Sequence, residues 1–230
     1  VVDLGASQPM TTADPRRAEV LSTYARRARH YDLTANLYYL IGLREWAYRK
    51  QAVESLSLRP GDTVVEIGCG TGLNFPLLRQ AVGATGKVVG IDLTPAMLDV
   101  ARQRIARHGW TNVELVQCDA AAYDFPDSPD GILSTFALSL VPECGEIVAR
   151  GTATLPSGKR WVVLDLRQPS YWPNGLISPL IPLVRPFAVT EDVIGRRPWE
   201  AILDGIRASS SRTSYREFFA GFIYLAVGER

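Results

Sequence analysis

The chain has 230 residues, 25 Lys plus Arg against 24 Asp plus Glu, a formal charge of +1, and 47% apolar residues. That length fits one large domain, and the apolar share excludes wholesale disorder. The balanced charge excludes the strong positive field of a broad nucleic-acid binder, so no nucleic-acid partner is expected. Cys69, Cys118 and Cys144 form no CxxC pair, and His30 and His108 stand far apart. Reduced thiols and no metal site are expected. No run of 18 apolar residues is present, so no spanning helix is expected. No basic start followed by an apolar stretch opens the sequence. The expected location is cytoplasmic, with peripheral contact at the inner membrane face as an option.

Residues 1–14 read as a flexible arm and residues 15–230 as a single domain. From Pro15 to about Gln51 the pattern is helical and rich in Arg and Tyr, which suggests a helical lid over 15–58. Arg16, Arg17, Arg26, Arg27 and Arg29 give this part a basic face. Arg59-Pro60-Gly61-Asp62 is a turn signal. Short β-branched runs then alternate with helical stretches across 60–166. Strands are expected at Thr63–Ile67, Lys87–Ile91, Val113–Gln117, Gly131–Phe136 and Arg160–Leu166. Helices are expected at Leu73–Val82, Pro95–His108 and about Pro142–Leu155. Thr94 is placed to cap the second of these, with Pro95 at its first position and Gly109 past its end. This alternation implies an α/β fold with a parallel sheet and helices on both faces. Residues 168–208 break the pattern with an apolar, proline-interrupted stretch carrying Trp172, read as a wall on the substrate side. Residues 210–230 are expected to form an antiparallel C-terminal hairpin at the sheet edge, from about Ser210–Thr213 and Tyr215–Val227.

The most informative stretch is Val64-Val65-Glu66-Ile67-Gly68-Cys69-Gly70-Thr71-Gly72. A strand runs into a glycine turn and a helix follows, so the backbone can approach a ligand closely. Asp92, at the end of the next strand, is placed to accept hydrogen bonds from ribose hydroxyls. The third glycine of a dinucleotide loop would fall at Leu73, and no phosphate-cradling G-x-x-x-x-G-K-[ST] is present. Glu66 suits an ammonium group better than a pyrophosphate. An adenosine with an amino-acid tail and no phosphate fits: S-adenosylmethionine, with S-adenosylhomocysteine as product.

Glu66–Gly72, Asp92 and Asp119 resemble the class I S-adenosylmethionine-dependent methyltransferases over roughly residues 60–165. The resemblance implies a Rossmann-like seven-stranded sheet. It also implies that Gly68, Cys69, Gly70, Thr71 and Gly72 surround the methionine and ribose, with Asp92 on the ribose and Asp119 near the adenine amine. Leu93, Met97 and Ala120 would pack on the adenine. Thr135 and Phe136 would lie where the methyl is delivered. Tyr31-Asp32 with Asn36 and Trp46 resembles the start of the quinone-biosynthesis C-methyltransferases. Asn74, expected among the cofactor-binding residues, and the Phe136–Pro142 run are similar to bacterial phospholipid or betaine-lipid N-methyltransferases. Tyr31 is therefore a cofactor-side candidate, and Tyr31 and His30 are candidates for a catalytic group. Tyr38, Arg44, Leu138 and Trp172 are expected on the acceptor side.

Methyl transfer from a sulfonium needs alignment and water exclusion more than acid–base groups. A phenol acceptor calls for a positioned base, whereas an amine need only arrive neutral. With two histidines in the chain, the sequence favours N-methylation of a small apolar or lipid-like amine. The alternatives are C- or O-methylation of a quinone-like or other aromatic molecule, and a non-catalytic S-adenosylmethionine-binding module.

Overall fold

The computed structural model of the chain describes residues 15–28, 44–169 and 195–230. Two helices come first, α1 (Pro15–Arg27) and α2 (Glu45–Ser55). Then follow β1 (Thr63–Ile67), α3 (Phe75–Val82), β2 (Lys87–Asp92), α4 (Pro95–His108), β3 (Val113–Gln117) and β4 (Gly131–Thr135). The remaining elements are α5 (Cys144–Thr154), β5 (Arg160–Leu166), α6 (Pro198–Ser209), β6 (Arg212–Phe218) and β7 (Ile223–Glu229). The seven strands form one sheet in the order β3-β2-β1-β4-β5-β7-β6. The first five pair in parallel, and β7 runs antiparallel to both neighbours.

Alternate residues of each strand enter different cores, as the two-residue pleat requires. Val64, Leu133, Val162 and Leu164 pack under Ala52 and Val53 of α2, Phe75 and Leu78 of α3, and Leu98 of α4. Val65, Ile67, Ile132, Trp161 and Val163 pack on the other face against Ile147 and Val148 of α5 and Trp199 and Ile202 of α6. Unbroken apolar strands of this kind belong to a sheet covered on both sides. The carboxyl ends of β1, β2, β3 and β4 therefore point to one edge, where such sheets hold ligands.

Several expectations are corrected. The helical pattern read as continuous to about Gln51 is carried by α1 and α2, while residues 29–43 lie outside the described residues. Residues 170–194, including Trp172, also lie outside them. The last part of the stretch read as a substrate-side wall is α6, an amphipathic helix. Pro198 opens it, and Trp199, Ile202 and Ile206 are buried in the core. Proline punctuation in the preceding residues hid that helix. Tyr215–Val227 is two strands, because Phe219, Ala220 and Gly221 all adopt left-handed φ (48°, 51° and 82°) and reverse the chain. β7 then lies inside the sheet and β6 alone forms that edge. β4 stops at Thr135 because Phe136 also turns left-handed, at φ 54°. α3 starts at Phe75, two residues later than expected. Thr94 has the extended backbone of a cap, but its side chain caps nothing in the helix. Gly109 ends α4 in the left-handed conformation, as its position after His108 implies.

Candidate functional site

Gly68 follows β1 at φ 69°, and a Cβ added there would stand 2.2 Å from the Ala137 Cβ. The turn therefore requires glycine, and it brings the glycine loop against the chain leaving β4. Gly70, at φ 54°, would place a Cβ in open space, so this residue leaves room for a ligand beside the backbone. Asp92 closes β2. Its Oδ2 accepts from the Gly70 N–H at 2.8 Å and its Oδ1 from the Thr94 N–H at 2.8 Å. The backbone continues the link: Cys69 N–H donates to Ile91 O and Cys118 N–H to Asp92 O. Asp119 follows β3, and its Oδ1 accepts from the Ala121 N–H at 2.9 Å.

These residues frame one cavity. Gly68, Cys69, Gly70, Thr71, Asp92, Leu93, Met97, Asp119, Ala120, Thr135 and Phe136 all line it, each at a position expected from the sequence. Glu66, Gly72 and Asn74 do not line it. Glu66 and Asn74 are buried in a hydrogen-bonded network whose Arg49 and Thr135 reach the cavity wall. Asn74 Nδ2 donates to Glu66 Oε1 at 2.5 Å and to Thr135 Oγ1 at 2.8 Å. Arg49 Nη1 donates to Thr135 Oγ1 at 2.6 Å and to Asn74 Oδ1 at 3.2 Å, while its Nε donates to Glu45 Oε1 at 2.8 Å. The Arg49 guanidinium also lies 5.2 Å from the centroid of the Phe136 ring, within cation–π range.

Among the wall residues that sequence reasoning missed, two come from the N-terminal helices. Arg49, on α2, is the one cation among the described residues lining the cavity. Its only sequence signal is the i, i+4 spacing to Glu45. Tyr24, on α1, lines the cavity and packs against Met97. The sequence pointed instead to Tyr31 and Tyr38, which lie outside the described residues, as does His30. Two acceptor-side expectations are corrected. Leu138 is fully buried in the core under α5 and does not reach the cavity, because the short turn carrying it directs it inward. Arg44 is exposed at the start of α2 and does not line the cavity.

Burial pushes the Glu66 carboxyl up to about 7, against the Asn74 bond and the Arg49 charge that favour ionisation. Burial likewise raises Asp92, against the Thr94 and Gly70 bonds. Glu66 Oε2 is buried without a hydrogen-bond partner, and a carboxylate has about four lone-pair sites, so Asp92 retains acceptor capacity beyond its two backbone bonds to Gly70 and Thr94. The site thus combines acceptors for hydroxyl and ammonium donors with open backbone at Gly70. S-adenosylmethionine fits that donor set. Asp92 would hold its ribose, Glu66 lies on the side of its amine, and Leu93, Met97 and Ala120 offer apolar surface to its adenine. The Cys69 and Cys118 thiols are raised by burial, which disfavours a thiolate nucleophile. Among the described residues, no group of three His, Cys, Asp or Glu side chains could hold a metal ion, and no helix is long and apolar enough to cross a membrane.

The fold is the Rossmann-like, seven-stranded one of class I S-adenosylmethionine-dependent methyltransferases. Comparison with known proteins agrees. A family described as "Methyltransferase domain" matches residues 64–156. The ubiquinone/menaquinone biosynthesis C-methyltransferase of Hahella chejuensis is 30% identical over 172 residues, which is 74% of this chain and 66% of that protein. The demethylmenaquinone methyltransferase of Bacillus cereus is 30% identical over 128 residues, 55% of this chain and 54% of that protein. The chain thus spans between about half and just under two thirds of these relatives' length. Among solved structures, geranyl diphosphate C-methyltransferase from Streptomyces coelicolor has a TM-score of 0.70 at 14% identity, covering 96% of this chain and 99% of that one. That likeness is one of fold.

Proposed function

We propose that the chain transfers a methyl group from S-adenosylmethionine to a ring carbon of a small apolar acceptor of the quinol type. The observation that carries this reading is the likeness to quinone C-methyltransferases across 172 residues. The apolar wall of Phe136, Ala137, Leu140, Val141 and Pro142 beside the β4 end supports it. The amine acceptor expected from the scarcity of histidines gives way to its C-methyl alternative, because these relatives are named for carbon or demethylmenaquinone methylation.

When bound, S-adenosylmethionine supplies a methyl on a positively charged sulfur, a leaving group that needs no further activation. The residues of this chain then have three tasks. Asp92, Asp119 and the glycine loop hold the nucleoside. Arg49, Asn74 and Thr135 fix the Phe136 ring at the end of β4. The apolar wall excludes water and orients the acceptor ring, a contribution worth about 7–11 kcal/mol in well-aligned reactions. A quinol hydroxyl gives up its proton as the ring carbon attacks, leaving a ring ketone; that carbon then releases its own hydrogen as a proton, and the ketone oxygen takes up a proton to restore the aromatic quinol. His30 and Tyr31 are the candidates to accept the first proton.

The test is incubation with labelled S-adenosylmethionine and a prenylated naphthoquinol, in parallel with a lipid amine. The expected product is the naphthoquinol heavier by one CH2, with the label on a ring carbon by NMR. Label on the amine nitrogen, or on neither molecule, overturns the reading.

A further inference from the structure

Residues 136–142, which leave β4 at the site, are gripped from both faces of the sheet. Phe136, Ala137, Leu140, Val141 and Pro142 line the cavity, whereas Leu138 and Ser139 are buried beneath it. On the α2 and α3 side, Arg49 and Asn74 bind Thr135, and Arg49 lies over Phe136. On the α5 and α6 side stands Asp165, near the end of β5 and 1% exposed. Its Oδ2 accepts from the Ser139 N–H at 2.9 Å. Its Oδ1 accepts from Ser139 Oγ at 2.8 Å and from the Leu166 N–H at 2.8 Å. The Leu138 N–H adds a further bond.

A carboxyl in this position is costly. Burial raises it to about 6, against all of these hydrogen bonds. Tyr224 from β7 and Cys144 from α5 face it, and neither is a cation that would offset the burial. Asp165 does not line the cavity. Its bonds to Leu138 and Ser139 go to the two residues of the segment that do not face the cavity. They hold the wall from below, at a point where Phe136 is already in a left-handed conformation and Ala137 abuts Gly68. Strained backbone of this kind persists only where its surroundings over-determine it.

We propose that Asp165 is a positioning residue for methyl transfer, which through Ser139 sets residues 136–142 against the acceptor. The inference rests on the methyltransferase reading above. Asp165 makes no hydrogen bond to Asp92, Asp119 or the glycine loop, so its loss falls on alignment of the acceptor far more than on cofactor binding.

Asp165→Asn keeps one acceptor oxygen for Ser139 Oγ and Leu166, but sets an amide against the Ser139 N–H. In this variant, kcat with a prenylated naphthoquinol should fall about tenfold or more, since misplacement by about 1 Å can cost a hundredfold. S-adenosylhomocysteine affinity by calorimetry should change far less than kcat. Hydrogen exchange should accelerate in the peptide spanning 136–142 and not elsewhere. Ser139→Ala, which loses only the hydroxyl bond, should show a smaller fall in kcat alone, and it carries the test if the Asn variant does not fold. Unchanged kcat and unchanged exchange in folded variants, or a parallel loss of cofactor affinity, overturn the proposal. If wild type methylates no naphthoquinol, the acceptor reading fails and the exchange result decides the role of Asp165.

Discussion

Replacing Glu66 by Gln should make the protein more stable at alkaline pH and poorer at holding its cofactor. Burial holds the Glu66 carboxyl at about 7 instead of an ordinary 4.5. Between those values the unfolded chain has released the proton and the native chain has kept it. The unfolded state binds fewer protons there, so stability falls as pH rises through this window. A displacement from 4.5 to about 7 corresponds to about 3 kcal/mol, at about 1.4 kcal/mol per pKa unit. The penalty is near zero at pH 4 and fully present at pH 8. The amide of the Glu66→Gln variant carries no charge to desolvate and keeps an oxygen for Asn74 Nδ2. Denaturant unfolding of wild type and variant across pH should therefore give curves that meet at pH 4 and diverge, with the variant higher by up to about 3 kcal/mol at pH 8. Other raised carboxyls, Asp92 and Asp165, are common to both proteins and cancel in the difference. S-adenosylhomocysteine affinity of wild type should rise with pH through about 7 as Glu66 ionises. In the variant it should be weaker and should lose that pH dependence, because no negative charge develops beside the amine as pH rises. Parallel stability curves, or a variant less stable at pH 8, would refute the reasoning.

Three other substitutions probe the same site. Asp92→Ala removes the acceptor for Gly70 and Thr94 and should weaken S-adenosylhomocysteine about tenfold to a hundredfold in calorimetry; wild-type affinity would contradict the ribose assignment. Arg49→Met removes the one cation among the described cavity residues. It should weaken S-adenosylhomocysteine more than 5′-methylthioadenosine, which lacks the amino-acid tail, and equal losses would place Arg49 away from that tail. Gly68→Ala should destabilise by more than the roughly 1–2 kcal/mol of a left-handed backbone, because its Cβ overlaps Ala137; unchanged denaturation would count against the turn geometry.

The parts of the site legible in the sequence are those built locally. Gly68, Gly70, Asp92 and Asp119 sit at strand ends, and strand, turn and acid follow one another along the chain. Arg49 was not legible, because Asn74 and Thr135 lie 25 and 86 residues from it. Only the sheet brings them together. Leu138 was misassigned for another reason. It lies in a one-turn segment, Leu138–Leu140, with no repeating pattern to say which side faces the ligand. The antiparallel hairpin is present, but its strand boundaries are not legible, because three consecutive left-handed residues, two of them not glycine, carry no turn signature that composition can reveal. In the fold, the alternation of strands and helices from Thr63 to Leu166 was plain, whereas α6 was masked by the prolines before it.

The placement of β7 bears on how the molecule is made. It joins β5 along seven residue pairs and β6 along seven more, yet it follows every other element of the sheet along the chain. On a ribosome, the five parallel strands emerge first, with the β5 edge unpaired and Val163 and Asp165 without the neighbours, Ala226 and Tyr224, that β7 later sets beside them. Until residues 223–229 are free to pair, the nascent protein carries an open, apolar sheet edge, the kind that templates pairing with another chain.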